Sequence, residues 1–311
     1  MLYLLIAIVC SSLFSVIFKL CQRHGIDTIQ AILFNYVTAV VTSWGPLFWI
    51  WARGGEAPVN PLGERWLWMA AVQGFFFCYG FALMSHSTRL SGVALTNAAA
   101  RASLVLPVIA SWLILRQPAP AWGPVALILV ALILIVMPPL GKKETTHRAW
   151  WFLLLVFFFY GVSDFSLKLV QHVVNEMHAD DELLVERNLN ALTGTIFFFA
   201  MLYSLIGVIG KSYRAKHTIT EPAQTSLQMS APPTWRTVGV GVALGLANLC
   251  CTSCMLRALN VLQTGTFYPL YNIGVVIMGT LFGVLFFREK LRPFQYVGLI
   301  LAILSIALFF R

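Results

Sequence analysis

Charge is what this sequence has least of. Only 11% of its 311 residues are Asp, Glu, Lys or Arg, against roughly 25% in an average soluble protein. Hydrophobic residues make up 59%, and the mean hydropathy is +0.80. Even a large soluble domain leaves about a quarter of its unfolded-chain surface in water. A chain this apolar could not keep that surface polar, which excludes a soluble enzyme, a disordered chain and a secreted scaffold. Cysteine is scarce as well. The six cysteines fall mostly in apolar runs, where a thiol behaves as a small hydrophobe; the Cys251/Cys254 pair lacks the second pair or histidines of a metal site. There is no HExxH metal helix, no GxSxG elbow and no P-loop. The one acidic cluster, Asp180-Asp181-Glu182, has no counterpart with which to hold Mg²⁺ and a pyrophosphate. No enzyme, metal or cofactor is expected. The net charge of +9 reads as basic cytoplasmic loops and not as a nucleic-acid surface.

What is abundant is long apolar runs. A helix needs about 20 mostly apolar residues to cross a bilayer. Ten such stretches lie near 2–20, 29–51, 66–86, 91–115, 121–139, 149–171, 184–209, 236–257, 264–287 and 292–310. The longest loop, 210–235, is basic and proline-containing and reads as a solvated linker; the first span lacks a basic leader and a cleavage site and reads as a retained helix. The chain also repeats weakly. Phe18-Lys19-Leu20-Cys21-Gln22 matches Leu167-Lys168-Leu169-Val170-Gln171, and Leu113-Ile114-Leu115-Arg116-Gln117 matches Leu285-Phe286-Phe287-Arg288-Glu289. Five helices per repeat is an odd number, so the second half enters the membrane from the opposite side. The fold expected is all-α, with ten transmembrane helices in two inverted five-helix repeats, 1–140 and 149–311. Many secondary transporters use this plan to move a central site between two sides.

These residues resemble the drug/metabolite transporter superfamily, in its ten-helix EamA-type branch, over nearly the whole chain. The resemblance rests on the five-plus-five layout, on Lys19 and Lys168 closing the first helix of each half, and on Phe287-Arg288-Glu289-Lys290-Leu291 followed by Gln295 and Gly298. Three positions depart from the family pattern. Ser11-Ser12 replaces a tryptophan-glycine pair, Gln117 a junction glutamate, and Asn35 an arginine of the second helix. The resemblance implies a transporter of small metabolites.

Polar side chains inside apolar spans ask for a reason. Arg101, mid-way along the fourth span, costs roughly 2.5–3.5 kcal/mol on insertion scales. Asn97 shares its face one turn earlier. Asp164 and Lys168 share a face of the sixth span and read as a pair, either a structural anchor or a switch. Glu186, Asn190 and Thr193 form a polar stripe on the seventh span; Asn35, Thr38 and Thr42 form another on the second. Tyr268, Tyr271 and Asn272 fall beside Asn97 and Arg101 under the 172-residue offset of the repeat, and Pro269 frees a carbonyl at that level. Lys19, Asn35, Asn97, Arg101, Asp164, Lys168, Glu186, Asn190, Tyr268, Tyr271 and Asn272 are therefore the candidate substrate-binding residues. Gly241-x-x-x-Gly245 and Gly279-x-x-x-Gly283 read as close-packing seams.

The internal charges lean basic, which favours an anionic or zwitterionic solute such as an amino acid or related carboxylate. The function expected is alternating-access secondary transport across a bacterial inner membrane. The cavity would be lined by helices 1–4 and 6–9, with helices 5 and 10 outside. The partners expected are a small-molecule substrate and the lipid bilayer, with no nucleic acid; the carrier would act as a monomer or a homodimer. The alternatives are a membrane enzyme acting on a lipid-linked or phosphorylated substrate, and a carrier of nucleotides or sugar phosphates. Two arguments on orientation conflict. Of the 21 lysines and arginines, four are internal; of the rest, twelve lie on the face opposite the termini and five on the terminal face. The positive-inside rule then puts both termini outside the cytoplasm, whereas the family resemblance implies cytoplasmic termini. The charge count is preferred here.

Overall fold

The computed structural model describes residues 1–23, 26–91, 93–136, 147–217, 234–287 and 293–309. The described residues form eleven α-helices and no strand: α1 Leu2–Arg23, α2 Thr28–Ala52, α3 Leu67–Ser91, α4 Val93–Ala102, α5 Val105–Leu113, α6 Trp122–Val136, α7 His147–Met177, α8 Glu182–His217, α9 Trp235–Val261, α10 Thr264–Phe287 and α11 Pro293–Phe309. Six are long and apolar enough to cross a membrane: α2, α3, α7, α8, α9 and α10. Shorter apolar helices cover Leu2–Phe14, Trp122–Ile135 and Pro293–Leu308. The chain is a multi-pass, all-helical membrane protein.

Local chemistry sets the helix ends. Asp27 caps α2 by accepting from the Ile29 amide at 2.9 Å, and Thr234 caps α9 through the Thr237 amide. Pro293 opens α11, where its missing N–H costs nothing. At the far end of α2, Gly54 takes φ +84° and hands its amide to the Trp51 carbonyl, a left-handed stop that suits glycine. Exposed tryptophans mark these ends. Trp49 and Trp51 stand at the end of α2, Trp68 at the start of α3, Trp112 at the end of α5 and Trp122 at the start of α6, and Trp150, Trp151 and Trp235 stand at the starts of α7 and α9. Amphipathic rings of this kind settle at headgroup level.

The single fourth span expected from the sequence is two helices. α4 ends at Ala102, Ser103 and Leu104 form a turn, and α5 begins at Val105. Pro107 explains the break, because its ring excludes the carbonyl of Ser103 four residues back and it has no N–H to offer. The local bonds tighten accordingly: the Leu104 amide reaches the Arg101 carbonyl at 3.3 Å and the Leu106 amide the Ser103 carbonyl at 2.9 Å. Pro46 and Pro269, by contrast, lie inside continuous helices. α7 runs to Met177, six residues past the boundary expected at 171. Its extension is amphipathic and held from the side, with Asn175 donating to Asn260 at 2.9 Å.

Most packing joins the first half of the chain to the second. α1 packs on α9 and α10, α2 on α8 and α9, α3 on α7 and α8, α4 and α5 on α7, α5 also on α10, and α6 on α11. The α2–α9 seam is the closest. A Cβ at Gly241 would lie 2.4 Å from the Phe34 Cβ, and one at Gly245 would lie 2.5 Å from the Asn35 carbonyl oxygen. The second small-residue motif behaves otherwise, since Gly279 faces open space and seals nothing.

Candidate functional site

The break after α4 leaves Arg101 in the last turn of a short helix, half-buried. Its guanidinium Nη1 donates to Asn272 Oδ1 of α10 at 3.2 Å. Asn272 is held in place by its own Nδ2, which donates to the Tyr268 carbonyl at 3.0 Å. Tyr268, fully buried, donates its hydroxyl to the main-chain carbonyl of Asp164 on α7. One turn of α10 away, Tyr271 stacks on Phe267 with ring centroids 5.6 Å apart, and its hydroxyl meets the Cys251 thiol at 3.7 Å and the Ser11 hydroxyl of α1. Four helices from both halves thus fix one set of polar groups: Arg101, Asn272, Tyr268, Tyr271, Asp164 and Ser11. Asn97, one turn before Arg101, is half-buried on the same helix.

Two features define the electrostatics. Among the described residues no carboxylate lies within 4.0 Å of Arg101. Its charge nevertheless acts on Asp164, Tyr160, Tyr271 and Cys251. Asp164 falls at the middle of the apolar span Trp150–Met177. A guanidinium in a low-dielectric interior, bound to one neutral amide, retains donors for a planar anion such as a carboxylate, which it can hold through two parallel hydrogen bonds.

The other candidates from the sequence fall elsewhere. Lys168 does not meet Asp164: it is buried and donates to Gln171 Oε1 at 2.7 Å and to the Leu259 carbonyl at 3.1 Å. The expected acid–base pair is absent because the ammonium finds uncapped carbonyl at the end of α9, where the helix dipole favours a cation. Gln171 passes the network to Asn260. Glu186 and Asn190 do not line the Arg101 site; they bind Arg257 of α9 at 3.1 and 2.9 Å. Thr193 returns its hydroxyl to the Leu189 carbonyl. Asn35 is buried and accepts from Asn248 of α9 at 3.2 Å, a bond that sews α2 to α9. Its expected companion Thr42 is exposed. Arg187 leaves the interior altogether, pairing with Glu56 at 2.6 Å and the Ala57 carbonyl. The side chain of Lys19 and the junction Arg288-Glu289-Lys290-Leu291 lie outside the described residues.

Sequence reasoning missed Asn248, Arg257, Tyr160 and Gln73. Gln73 is buried in α3 and donates to Ser163, next to Asp164, at 3.3 Å; a mid-span glutamine was the signal. The Cys251/Cys254 pair is packing material, and all six cysteines are free.

No protein-family model matches the chain. It is 24% identical over 313 residues to an uncharacterized protein of Haemophilus influenzae, an alignment covering 97% of this chain and 95% of that one. It also resembles a solved crystal structure, with a TM-score of 0.67 at 13% identity, across 98% of this chain and 94% of the other. At that identity the likeness concerns the fold alone.

Proposed function

We propose that the protein is a secondary transporter that carries a small anionic or zwitterionic metabolite, an amino acid or related carboxylate, by alternating access. The carrying observation is Arg101. It stands half-buried at a helix break, hydrogen-bonded across the halves to Asn272, and among the described residues no carboxylate lies within 4.0 Å of it. Discontinuous helices at mid-membrane are a recurrent way of building a carrier's site.

The packing pattern supports the finer architecture of this reading, ten crossings in two inverted repeats. Let α1, α2, α3, the α4–α5 pair and α6 correspond in order to α7, α8, α9, α10 and α11. Exchanging the halves then turns α2–α9 into α8–α3, α1–α9 into α7–α3, and α1–α10 into α7–α4/α5. The contacts α2–α8, α5–α10 and α6–α11 map onto themselves. A pseudo-two-fold relation of this kind fits the EamA-type layout and a bacterial inner membrane. α6 and α11 pack on one another and leave the remaining helices around Arg101.

The test is a thermal-shift screen of the purified protein against metabolites, since a solute that binds only the folded state raises its melting temperature by mass action. Counterflow in proteoliposomes then follows the hit. Saturable exchange is expected. Flux that does not saturate would make the protein a channel, and product formation would make it an enzyme.

A further inference from the structure

Asp164 has no role in the reading above, and its position is the costliest of any carboxylate among the described residues. Of the acidic residues in the described regions, Asp27, Glu56, Glu64, Glu176, Asp180, Asp181, Glu182 and Glu186 stand in loops or near helix ends; Asp164 alone stands at mid-span. No cation lies within 4.0 Å of it among the described residues. Lys168, one turn on, is committed to Gln171 and Leu259. From the helices packed on α7, together with α10, the charged or titratable groups facing Asp164 are Arg101 of α4 and Tyr268 of α10; Tyr160 precedes it by one turn on α7 itself. The nearby oxygens are occupied: Tyr268 donates to the Asp164 carbonyl, Tyr160 to the Gly80 carbonyl, and Ser163 accepts from Gln73.

We propose that Asp164 is the carboxylate that carries a coupled proton, so that one monoanionic solute crosses together with one proton. This rests on the carrier reading and narrows its substrate class. The argument is one of charge. Lys168 holds its charge against the C-terminal carbonyls of α9 in every form, so the balance that changes is that of Arg101 and Asp164, which sum to zero in the empty carrier with Asp164 ionised. An anion at Arg101 makes the site −1, and an occluded net charge in a bilayer interior is expensive. A proton on Asp164 restores zero. The empty and the doubly loaded forms can therefore occlude, and the two singly loaded forms cannot, which is the condition for obligatory cotransport. The linkage is reciprocal: the anion neutralises the field of Arg101 at Asp164, so anion and proton promote each other's binding. A metal cation fits less well, because Asp164 would have to hold it without other acidic or imidazole ligands: no group of three or more His, Cys, Asp or Glu among the described residues could hold a metal.

Two measurements test this. The first uses the proton alone. In lipid nanodiscs, infrared difference spectra across a pH titration should show the carbonyl stretch of a protonated carboxylic acid in a dry setting. The band should vanish in Asp164→Asn and reappear, shifted, in Asp164→Glu, which keeps a carboxyl should the amide variant fold poorly. A wild-type spectrum without such a band, or one unchanged in Asp164→Asn, overturns the proposal, as does ²²Na⁺ binding that Asp164→Asn abolishes. The second uses the solute found by the screen. A one-unit pH gradient should support about a tenfold accumulation ratio in wild-type proteoliposomes, unmoved by a potassium diffusion potential, and a ratio near one in Asp164→Asn. Uptake that follows membrane potential and ignores the pH gradient overturns it. If no solute binds, the carrier reading fails on its own while the titration still decides Asp164.

Discussion

Replacing Arg101 by alanine separates a binding anchor from a structural hub, because the two predict opposite signs for stability. Among the described residues Arg101 makes one interhelical hydrogen bond, to Asn272, and such bonds average about 0.6 kcal/mol in membrane proteins. Against this stands the roughly 2.5–3.5 kcal/mol that a mid-membrane arginine costs on insertion. At a pH low enough to protonate Asp164, which then needs no counter-charge, Arg101→Ala should therefore leave the melting temperature of the solute-free protein unchanged or raise it. Binding moves the other way. A charge-assisted contact to a carboxylate contributes about 1.5–3 kcal/mol, so apparent affinity should fall by about 10- to 150-fold. Arg101→Lys keeps the charge and loses the two-pronged geometry, so its loss should be smaller, about three- to tenfold. The measurements are a melting curve without solute and a concentration series of transport in proteoliposomes. A melting temperature several degrees lower, with unchanged affinity in the surviving protein, would show that Arg101 holds the bundle together. Normal transport kinetics in a well-folded Arg101→Ala protein would remove the anchor.

Lys168→Met should act on stability and not on solute affinity: it strips donors from the buried Leu259 carbonyl and Gln171, at about 1–3 kcal/mol for each acceptor left bare, and a selective loss of transport with unchanged melting would contradict this. Gly245→Leu should separate α2 from α9, since even a Cβ there lies 2.5 Å from the Asn35 carbonyl, with a cost of about 1–3 kcal/mol or more read as a lowered melting temperature; a normal melt would mean the seam has room. If the positive-inside count over ten crossings holds, with both termini outside the cytoplasm, a C-terminal GFP fusion expressed in bacteria should stay dark, and bright fluorescence would reverse the orientation.

The positions of helices were legible because apolar length is a property of composition, and every expected span coincides with a described helix or, for the fourth, a broken pair. The break itself was also written in the chain, at Pro107, yet apolar continuity through 91–115 hid it. Partners were harder to read. Arg101 and Asn272 were grouped by the repeat offset, and the fold brings them to 3.2 Å. Asp164 and Lys168 were grouped by helical spacing alone, and the lysine is long enough to choose a carbonyl on another helix instead. Glu186 and Asn190 were grouped by helical spacing, and both bond to Arg257 of α9, a partner that spacing did not indicate. Spacing along one helix predicts a shared face; it does not say which neighbour that face will meet.

α1 finds its partners late. α1 ends at Arg23, and it packs on α9, which begins at Trp235, and on α10. Its buried Ser12 hydroxyl reaches the Val275 carbonyl, 263 residues away, and its Ala7 carbonyl accepts from the Cys251 thiol. At about 5–20 residues per second, roughly 10–40 seconds of translation separate α1 from the arrival of α9. Throughout that interval the surface of α1 that will meet α9 and α10 has no partner there, so the order of synthesis leaves α1 waiting on α9.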